Sequence, residues 1–475
     1  MALWDSVIAA AAARGGALIG PGRTIPLASL TRASCLVGRL DALRGRSAII
    51  AVHDPLTAAV LLLELDGVAR RMVLCTPDLP RQHLSDVIRC AQADVWLSDS
   101  SPESAPPPGV GLDFAVEADA EPVPLPSGMQ RPVHRAEFQV GTEWVLLTSG
   151  TTGAPKLVAH TLASLTSAFA DSRESTALQE GAAPVWSTFY DIRRYGGLQI
   201  YLRALYAGSL VLAGEAEATA EYLVRAAVAG VSHISGTPSH WRQALMSGTL
   251  ARFSPAYVRL SGEIVDQGIL DALRAAFPHA VVAHAFASTE AGVGFEVRDG
   301  LAGFPASLVG KSARGVELDV SRGTLRIRSP GNAAAYLGPG APPLKDAEGF
   351  VDLGDRLKLR DGRYQFVGRG GGIINVGGLK VHPEEVEAVI NSHQRVRMSL
   401  VKSRRNPITG AVVAADVVLA DVVGSTEPAT ADRIRKEILD VCRTMLAAHK
   451  VPALIRFVPS LEMSGAGKLV RADDA

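Results

Sequence analysis

The stretch "EWVLLTSGTTGAPKLVAHTLASL", residues 143–165, decides how this chain is read. An apolar run gives way to Thr148, Ser149, Gly150, Thr151, Thr152 and Gly153, closes on Pro155 and Lys156, and resumes in a helix-like pattern. A strand-loop-helix unit of this composition suits an anion. Backbone N–H groups can turn toward a charge where no Cβ obstructs them, hydroxyls add donors, and a lysine neutralises. The spacing excludes the common nucleotide loop G-x-x-x-x-G-K-[ST]: Gly150 and Gly153 are only three apart, and Ala154-Pro155 separates Gly153 from Lys156.

On the N-terminal side, short apolar runs (Ser47 to Val52, Met72 to Cys75, Val95 to Leu97) alternate with helical periodicity such as Leu56 to Leu65. That alternation predicts an α/β layer with mostly parallel strands. Residues 101–132, rich in proline, read as an exposed connection. On the C-terminal side the rhythm returns between Leu198 and Val282, which predicts a second α/β layer. From about residue 315, "VELDV", "GTLRIRS" and "RYQFVGR" are short strands separated by Gly, Pro and Asp, the pattern of a small antiparallel subdomain. After Gly370, Gly371 and Gly372 come a helix at "PEEVEAVINSH", a strand at "AVVAADVVLA", a helix at "TADRIRKEILDVCRTML" and a strand at "ALIRFVP". The expected organisation is therefore an N-terminal domain, 1–370, of two α/β layers plus the antiparallel subdomain, and a small mobile α+β domain, 371–475, with the swivel at the glycines.

The 475 residues carry 48 Lys plus Arg against 48 Asp plus Glu, so no basic footprint points to nucleic acid or an anionic membrane. A small-molecule partner is favoured. No apolar run approaches the roughly 20 residues that span a bilayer. The opening "MALWDSVIAAAAARGG" lacks a basic n-region and carries Asp5, and it reads as an amphipathic helix rather than a secretory signal. Cys35, Cys75, Cys90 and Cys442 are scattered without metal-ligand spacing, as expected of structural thiols in a reducing cytoplasm.

The order T-S-G-T-T-G-x-P-K resembles the signature loop of the adenylate-forming superfamily: acyl-CoA synthetases, peptide-synthetase adenylation domains and luciferase. Further segments resemble that family in its order along the chain. "AFASTEAG" is similar to its Y-G-x-T-E segment, which implies Phe286 against adenine, with Ala287 and Ser288 beside it, Thr289 at the phosphates and Glu290 as magnesium ligand. "SGE", Ser261, Gly262 and Glu263, resembles the adenine-pocket turn, and "FVDLGD" the segment whose aspartate, here Asp355, holds ribose. "GTLRIRS" is similar to the G-E-L strand, with Thr324 in place of the acid. "VGRGGGIINVGGLKVHPEEVE" resembles the interdomain hinge, implying Arg369 on ribose, Gly371 at the hinge, and Gly377 and Gly378 along a thiol channel. "EMSGAGKLVR" resembles the C-terminal segment that delivers the catalytic lysine, Lys468.

The resemblance implies ATP-dependent activation of a carboxylic acid through an acyl adenylate, followed by transfer to coenzyme A. The alternative acceptor is the phosphopantetheine of a separate carrier protein. A different-class alternative is a non-catalytic nucleotide-binding relative, against which the presence of Lys156, Lys468, Glu290 and Asp355 together speaks. Two anions must meet in the first step, so positive charge and positioning are the needs. Lys468 would lie between carboxylate and α-phosphate, Lys156 would guide pyrophosphate, and Glu290 would hold Mg²⁺.

The acid pocket is expected between "WSTFYDIRRYGGL", which supplies Phe189, Tyr190, Asp191, Arg194, Tyr195 and Gly197, and the segment around Ala285 and Gly292. Asp191 either pairs with an amino group of the acid or makes a salt bridge at a helix start. Arg193 and Arg194 either meet a polar substituent or the pantetheine, or belong to such a bridge. The small residues Ala283, Ala285, Ala287 and Gly292 leave room for an aryl ring or a short chain.

Overall fold

The computed structural model describes residues 3, 15–31, 33–36, 38–99, 110–116, 123–124, 141–148, 155–169, 183–369, 372–376, 378–406, 410–420 and 428–470. Among them the expected architecture is present: two large α/β sheets, an antiparallel subdomain and a small C-terminal α+β unit.

The first sheet has seven strands in the order Ala335–Leu337, Lys156–His160, Glu143–Thr148, Arg71–Leu74, Ser47–Ile50, Val95–Asp99, Leu112–Val116. The second has eight: Gly292–Val297, Val281–Ser288, Tyr257–Leu260, His233–Gly236, Val185–Thr188, Ser209–Val211, Ala17–Gly20 and Arg23–Pro26. The inner strands of both pair in parallel, the arrangement that requires helices on both faces.

Two helices fill the space between the sheets. Pro55–Leu65 starts at Asp54, whose carboxylate accepts from the backbone N–H groups of Leu56 and Thr57, with Pro55 pre-set for the first turn. Every residue from Leu56 to Leu65 is buried, so this helix has no solvent face. The helix Tyr195–Ala207 lies against it, and the Tyr201 hydroxyl donates to the Ala59 carbonyl at 2.7 Å. Their side chains join Leu18, Ile50, Leu74, Trp144 and Leu210 in one apolar core.

Six strands, in the order Phe304–Pro305, Arg363–Arg369, Val351–Arg360, Thr324–Arg328, Val316–Ser321 and Ser312–Ala313, form the antiparallel subdomain. The C-terminal unit packs helices Pro383–Asn391 and Pro428–Met445 against the strands Val396–Asn406, Gly410–Leu419 and Leu454–Phe457.

Three expectations are corrected. Lys156–His160 is a strand, antiparallel to Glu143–Thr148 with Thr148 opposite Lys156, and a helix begins only at Leu162. Leu157, Val158 and Ala159 are buried between two strand neighbours, and this pairing outweighs the helix-like spacing. Leu112–Val116, inside the region read as a connection, is an edge strand parallel to Val95–Asp99. The long strand Val396–Asn406 precedes the turn in "RRNPITG", where no strand was expected. The opening helix falls almost wholly outside the described residues.

Candidate active site

Four neighbouring parallel strands of the second sheet each run directly into a candidate segment. Val185–Thr188 leads to Phe189, Tyr190 and Asp191, Tyr257–Leu260 to Ser261, Gly262 and Glu263, and Val281–Ser288 to Thr289 and Glu290. His233–Gly236 leads to Thr237, which the sequence reading passed over. Carboxyl ends of parallel strands are where open α/β sheets bind ligands.

At one end of this row the first sheet's hairpin meets the turn carrying Glu290. The Lys156 ammonium lies over the Tyr336 ring, 5.2 Å from its centroid, and the Tyr336 hydroxyl donates to Glu290 Oε1 at 3.2 Å. Tyr336 belongs to the strand paired with Lys156–His160, so sheet register places the three groups together. The backbone of the turn is held as well. His160 Nε2 donates to the Thr289 carbonyl at 2.6 Å, and the Ala333 N–H donates to the Glu290 carbonyl at 2.9 Å. His160 is wholly buried, and burial brings its pKa down to about 4, against the opposing pull of the Thr289 carbonyl. It is therefore neutral, with its proton on Nε2 and Nδ1 accepting from Ser164 Oγ at 2.9 Å. Ser288 Oγ caps the same turn by accepting from the Ala291 N–H. Ser149, Gly150, Thr151, Thr152 and Gly153 lie outside the described residues.

The two groups expected on ribose are cross-strand neighbours, Asp355 opposite Arg369, and Asp355 is buried. Phe286 stacks at 5.2 Å, nearly parallel, on Phe366, which shares Arg369's strand. Phe295 lies beside it at 5.9 Å, making Phe286 part of the apolar cluster of the antiparallel subdomain. Thr324 keeps its hydroxyl in the hairpin, its one proton shared between the Ser321 carbonyl at 2.9 Å and Asp352 Oδ2 at 2.8 Å. Gly378 has a left-handed backbone, φ +83°, and a Cβ there would meet open space. Gly371 and Gly377 are outside the described residues.

On the acid side, Asp191 is spent on a neighbour. Its two oxygens accept from Arg193 Nε at 2.8 Å and Nη2 at 2.6 Å, and Arg193 Nη1 donates across to the Val52 carbonyl of the first sheet. Burial works to raise the Asp191 pKa, but Arg193 outweighs it and holds the carboxyl below its ordinary value. The helix-start salt bridge is thus the arrangement present. Arg194 pairs with Asp78 at 2.5 Å. The Tyr190 hydroxyl donates to the Ser261 carbonyl at 2.6 Å, and burial raises its pKa and that of Tyr195. Phe189 stacks on His240 at 5.3 Å with its edges to Tyr222 and Trp241. Ala285 is buried in its strand. Gly197 and Gly292 do not open room: a Cβ on Gly197 would sit 2.2 Å from the Asp191 carbonyl, and one on Gly292 would sit 2.5 Å from the Gly331 carbonyl. Both glycines permit close backbone approach.

Lys468 arrives from the opposite end of the chain. A Cβ on Gly262 would lie 3.7 Å from Lys468 Cε, so the lysine stem runs past the Ser261–Glu263 turn. The loop behind it is fastened by Thr237 Oγ1 donating to the Gly467 carbonyl at 2.6 Å, and by Glu263 Oε1 accepting from the Leu469 N–H at 3.3 Å. Besides Thr237, the sequence reading missed His240, Asp78 and Tyr336. "SGTPSHW" did hold a signal, a Thr-Pro helix start directly after a strand, which marks a carboxyl-end position.

A two-sheet α/β body with an antiparallel subdomain, and a C-terminal unit that returns a lysine to the strand ends, is the architecture of the adenylate-forming proteins. The chain belongs to the AMP-binding enzyme family: residues 67–337 match its model and residues 385–468 match that of the AMP-binding enzyme C-terminal domain. Among curated proteins it is 35% identical over 160 residues to the mitochondrial acyl-coenzyme A synthetase ACSM2A of Homo sapiens, 33% of this chain and 27% of that protein. It is 30% identical over 227 residues to the nicotinic acid-CoA ligase olcI of Penicillium canescens, 45% of this chain and 40% of that one. The aligned region thus spans well under half the length of either relative. Among solved structures, the anthranilate CoA ligase AuaEII with anthranoyl-AMP superposes with a TM-score of 0.74 at 16% identity, covering 99% of this chain and 95% of that one. The amide bond synthetase McbA from Marinactinospora thermotolerans gives 0.74 at 19%, covering 98% of each chain. At these identities the likeness is one of fold. Among the described residues no helix is long and apolar enough to cross a membrane.

Proposed function

We propose that this chain is an AMP-forming acid-thiol ligase that activates an aryl or other small carboxylic acid and passes it to coenzyme A. The observation that carries the reading is the docking of the Lys468 loop on the Ser261–Glu263 turn, while Lys156, Tyr336 and Glu290 gather at the far end of the same strand row. In the first step a carboxylate oxygen bonds to the α-phosphorus of ATP, and the bond from that phosphorus to the bridging oxygen of pyrophosphate breaks. Lys468 offsets the approach of the two anions, and Lys156 stabilises the departing pyrophosphate. In the second step a thiol sulfur bonds to the acyl carbon, its proton goes to solvent, and AMP leaves.

Glu290 suits a magnesium ion, which takes one or two carboxylates together with phosphate oxygens. When bound, that ion neutralises phosphate charge. The neutral charge balance favours small-molecule partners, and the names of the curated and structural relatives support an aromatic acid and coenzyme A. Four free cysteines fit a reducing compartment such as the cytoplasm. The division near residue 370 is proposed as the hinge on which the C-terminal unit turns between the two steps.

Acid-dependent exchange of labelled pyrophosphate into ATP, run across aryl, short-chain and amino acids, tests the first step. Exchange with an aryl acid is expected, and absence of exchange with every acid in folded protein overturns the reading. Offering coenzyme A and carrier proteins to the preformed adenylate tests the acceptor. Turnover with a carrier alone would replace coenzyme A.

A further inference from the structure

Glu263 belongs to the turn expected to form the adenine pocket, yet its carboxylate is engaged elsewhere. Oε2 accepts from the Ser239 N–H at 2.9 Å, and Oε1 accepts from Ser239 Oγ at 3.0 Å and from the Leu469 N–H at 3.3 Å. Two of these donors lie at the start of the helix Pro238–Met246, where a negative charge is favoured. The third is on the loop that carries Lys468. On the other side of that loop, Thr237 donates its hydroxyl proton to the Gly467 carbonyl and accepts from the His240 N–H at 3.0 Å.

His240 forms the wall. Burial lowers its pKa to about 4, so the ring is neutral, and stacking on Phe189 fixes its plane. A Cβ on Gly467 would fall 1.7 Å from His240 Cε1, and Gly467 has φ +67°. A Cβ on Gly465 would fall 2.2 Å from Asp78 Oδ2. At Gly467 the loop "SGAGK" therefore enters a slot fitted to glycine, by its backbone and by the wall beside it.

We propose that Thr237, Glu263 and His240 are positioning residues forming a socket that seats the Lys468 loop, and that Glu263 acts on the lysine's placement rather than on the purine. The inference rests on Lys468 serving adenylate formation. The socket is made when the loop docks and is released when the C-terminal unit turns away, so its loss lowers the first half-reaction and spares the second.

The test uses Glu263→Gln and Gly467→Ala in the full chain, one on each side of the contact. Each is expected to lower pyrophosphate exchange by about ten- to hundredfold, the worth of a hydrogen bond to a charged group, with KM for ATP and thioester formation from supplied adenylate unchanged. The double variant is expected to lose less than the product of the two, because both break one contact. Docking is read without activity through the pair Asp78→Cys and Gly465→Cys. A Cβ at residue 465 would lie 3.2 Å from that of residue 78, close enough to cross-link after a small shift. Cross-linking is expected to slow about tenfold when Glu263→Gln is added. A raised KM for ATP with unchanged cross-linking in Glu263→Gln overturns the proposal. Should every acid fail in the exchange assay, the ligase reading falls while cross-linking still decides the socket.

Discussion

The two large sheets are built alike, with parallel inner strands and a shared layer of buried helices, yet the groups at their carboxyl ends are used differently. In the first sheet the groups at Val52, His53 and Asp54 are taken up by structural partners, within the sheet and across to the second. Asp54 caps its helix and pairs with Arg23 at 2.9 Å, and His53 Nδ1 lies 2.9 Å from the buried Asp99. The Val52 carbonyl accepts from Arg193, and Cys75 is buried with its thiol pushed up to about 12. In the second sheet the strand ends reach outward, to the lysine loop, to the hairpin of Lys156 and to the antiparallel subdomain. The first sheet thus acts as a bracket and the second as a bench. The duplicated plan supplies the geometry, and the chemistry gathers where other parts of the chain can return to it.

The largest effect that could break this division is on Lys468. Lys468→Ala should lower adenylate formation by about 10²- to 10³-fold, the scale of removing one group that stabilises transition-state charge. Thioester formation from supplied adenylate should persist. Equal loss of both half-reactions, in rapid-quench measurements, would return the lysine to a structural role.

Next comes the seam between bracket and bench. Arg193 is 1% exposed and Asp191 20%, and together they tie the turn before Tyr195–Ala207 to Val52. Asp191→Asn leaves the arginine buried against a neutral partner and should cost about 3–5 kcal/mol in denaturant unfolding, whereas replacing both residues by apolar ones of similar size should recover most of it. If Asp191 instead served an amino group of the acid, Asp191→Asn would change acid selectivity with little loss of stability.

Stability should also fall in acid. His160 and His240 have folded pKa values of about 4, below the ordinary 6.5, so between pH 6.5 and 4 the unfolded chain binds more protons than the folded one. Each contributes a loss of up to about 1.4 kcal/mol per pH unit as pH falls through that window, and none above it. His160→Gln keeps a donor for the Thr289 carbonyl and should reduce the slope in unfolding curves taken across the window, leaving the share of His240 and of His233, His284 and His382, which burial also lowers.

The legibility of the sequence followed the same division. Runs buried on both faces, such as Ser47–Ile50 and Val282–Ala285, mark their strands through local composition, and segments that run directly from those strands were found with them. What was missed depends on pairing between distant residues. "KLVAH" becomes a strand because Leu157 faces Leu337, 180 positions away, and no local pattern carries that. Asp191 looked available because its partner's burial comes from the other sheet. Thr237 and His240 acquire their role only when residue 467 arrives beside them.

Tyr336 is the smallest and sharpest case of this long-range placement. Its ring lies under Lys156 and its hydroxyl on Glu290, so one side chain from the edge strand orients both groups assigned to the phosphates. The hydrogen bond is long, at 3.2 Å, and partly exposed, which keeps its worth near 1 kcal/mol. Tyr336→Phe retains the ring and frees the carboxylate to rotate. It should raise the magnesium concentration needed for nucleotide binding by about three- to fivefold while leaving the binding of pyrophosphate unchanged. Tyr336→Leu removes the ring as well, and should weaken pyrophosphate binding by a similar factor through the lost cation–π contact. Calorimetric titrations with Mn²⁺ plus a non-hydrolysable ATP analogue, and with pyrophosphate, separate the two, since they read the metal and the phosphate ligand without turnover. If both variants shift the two ligands equally, Tyr336 is only packing at the sheet edge, and the bench ends at Glu290.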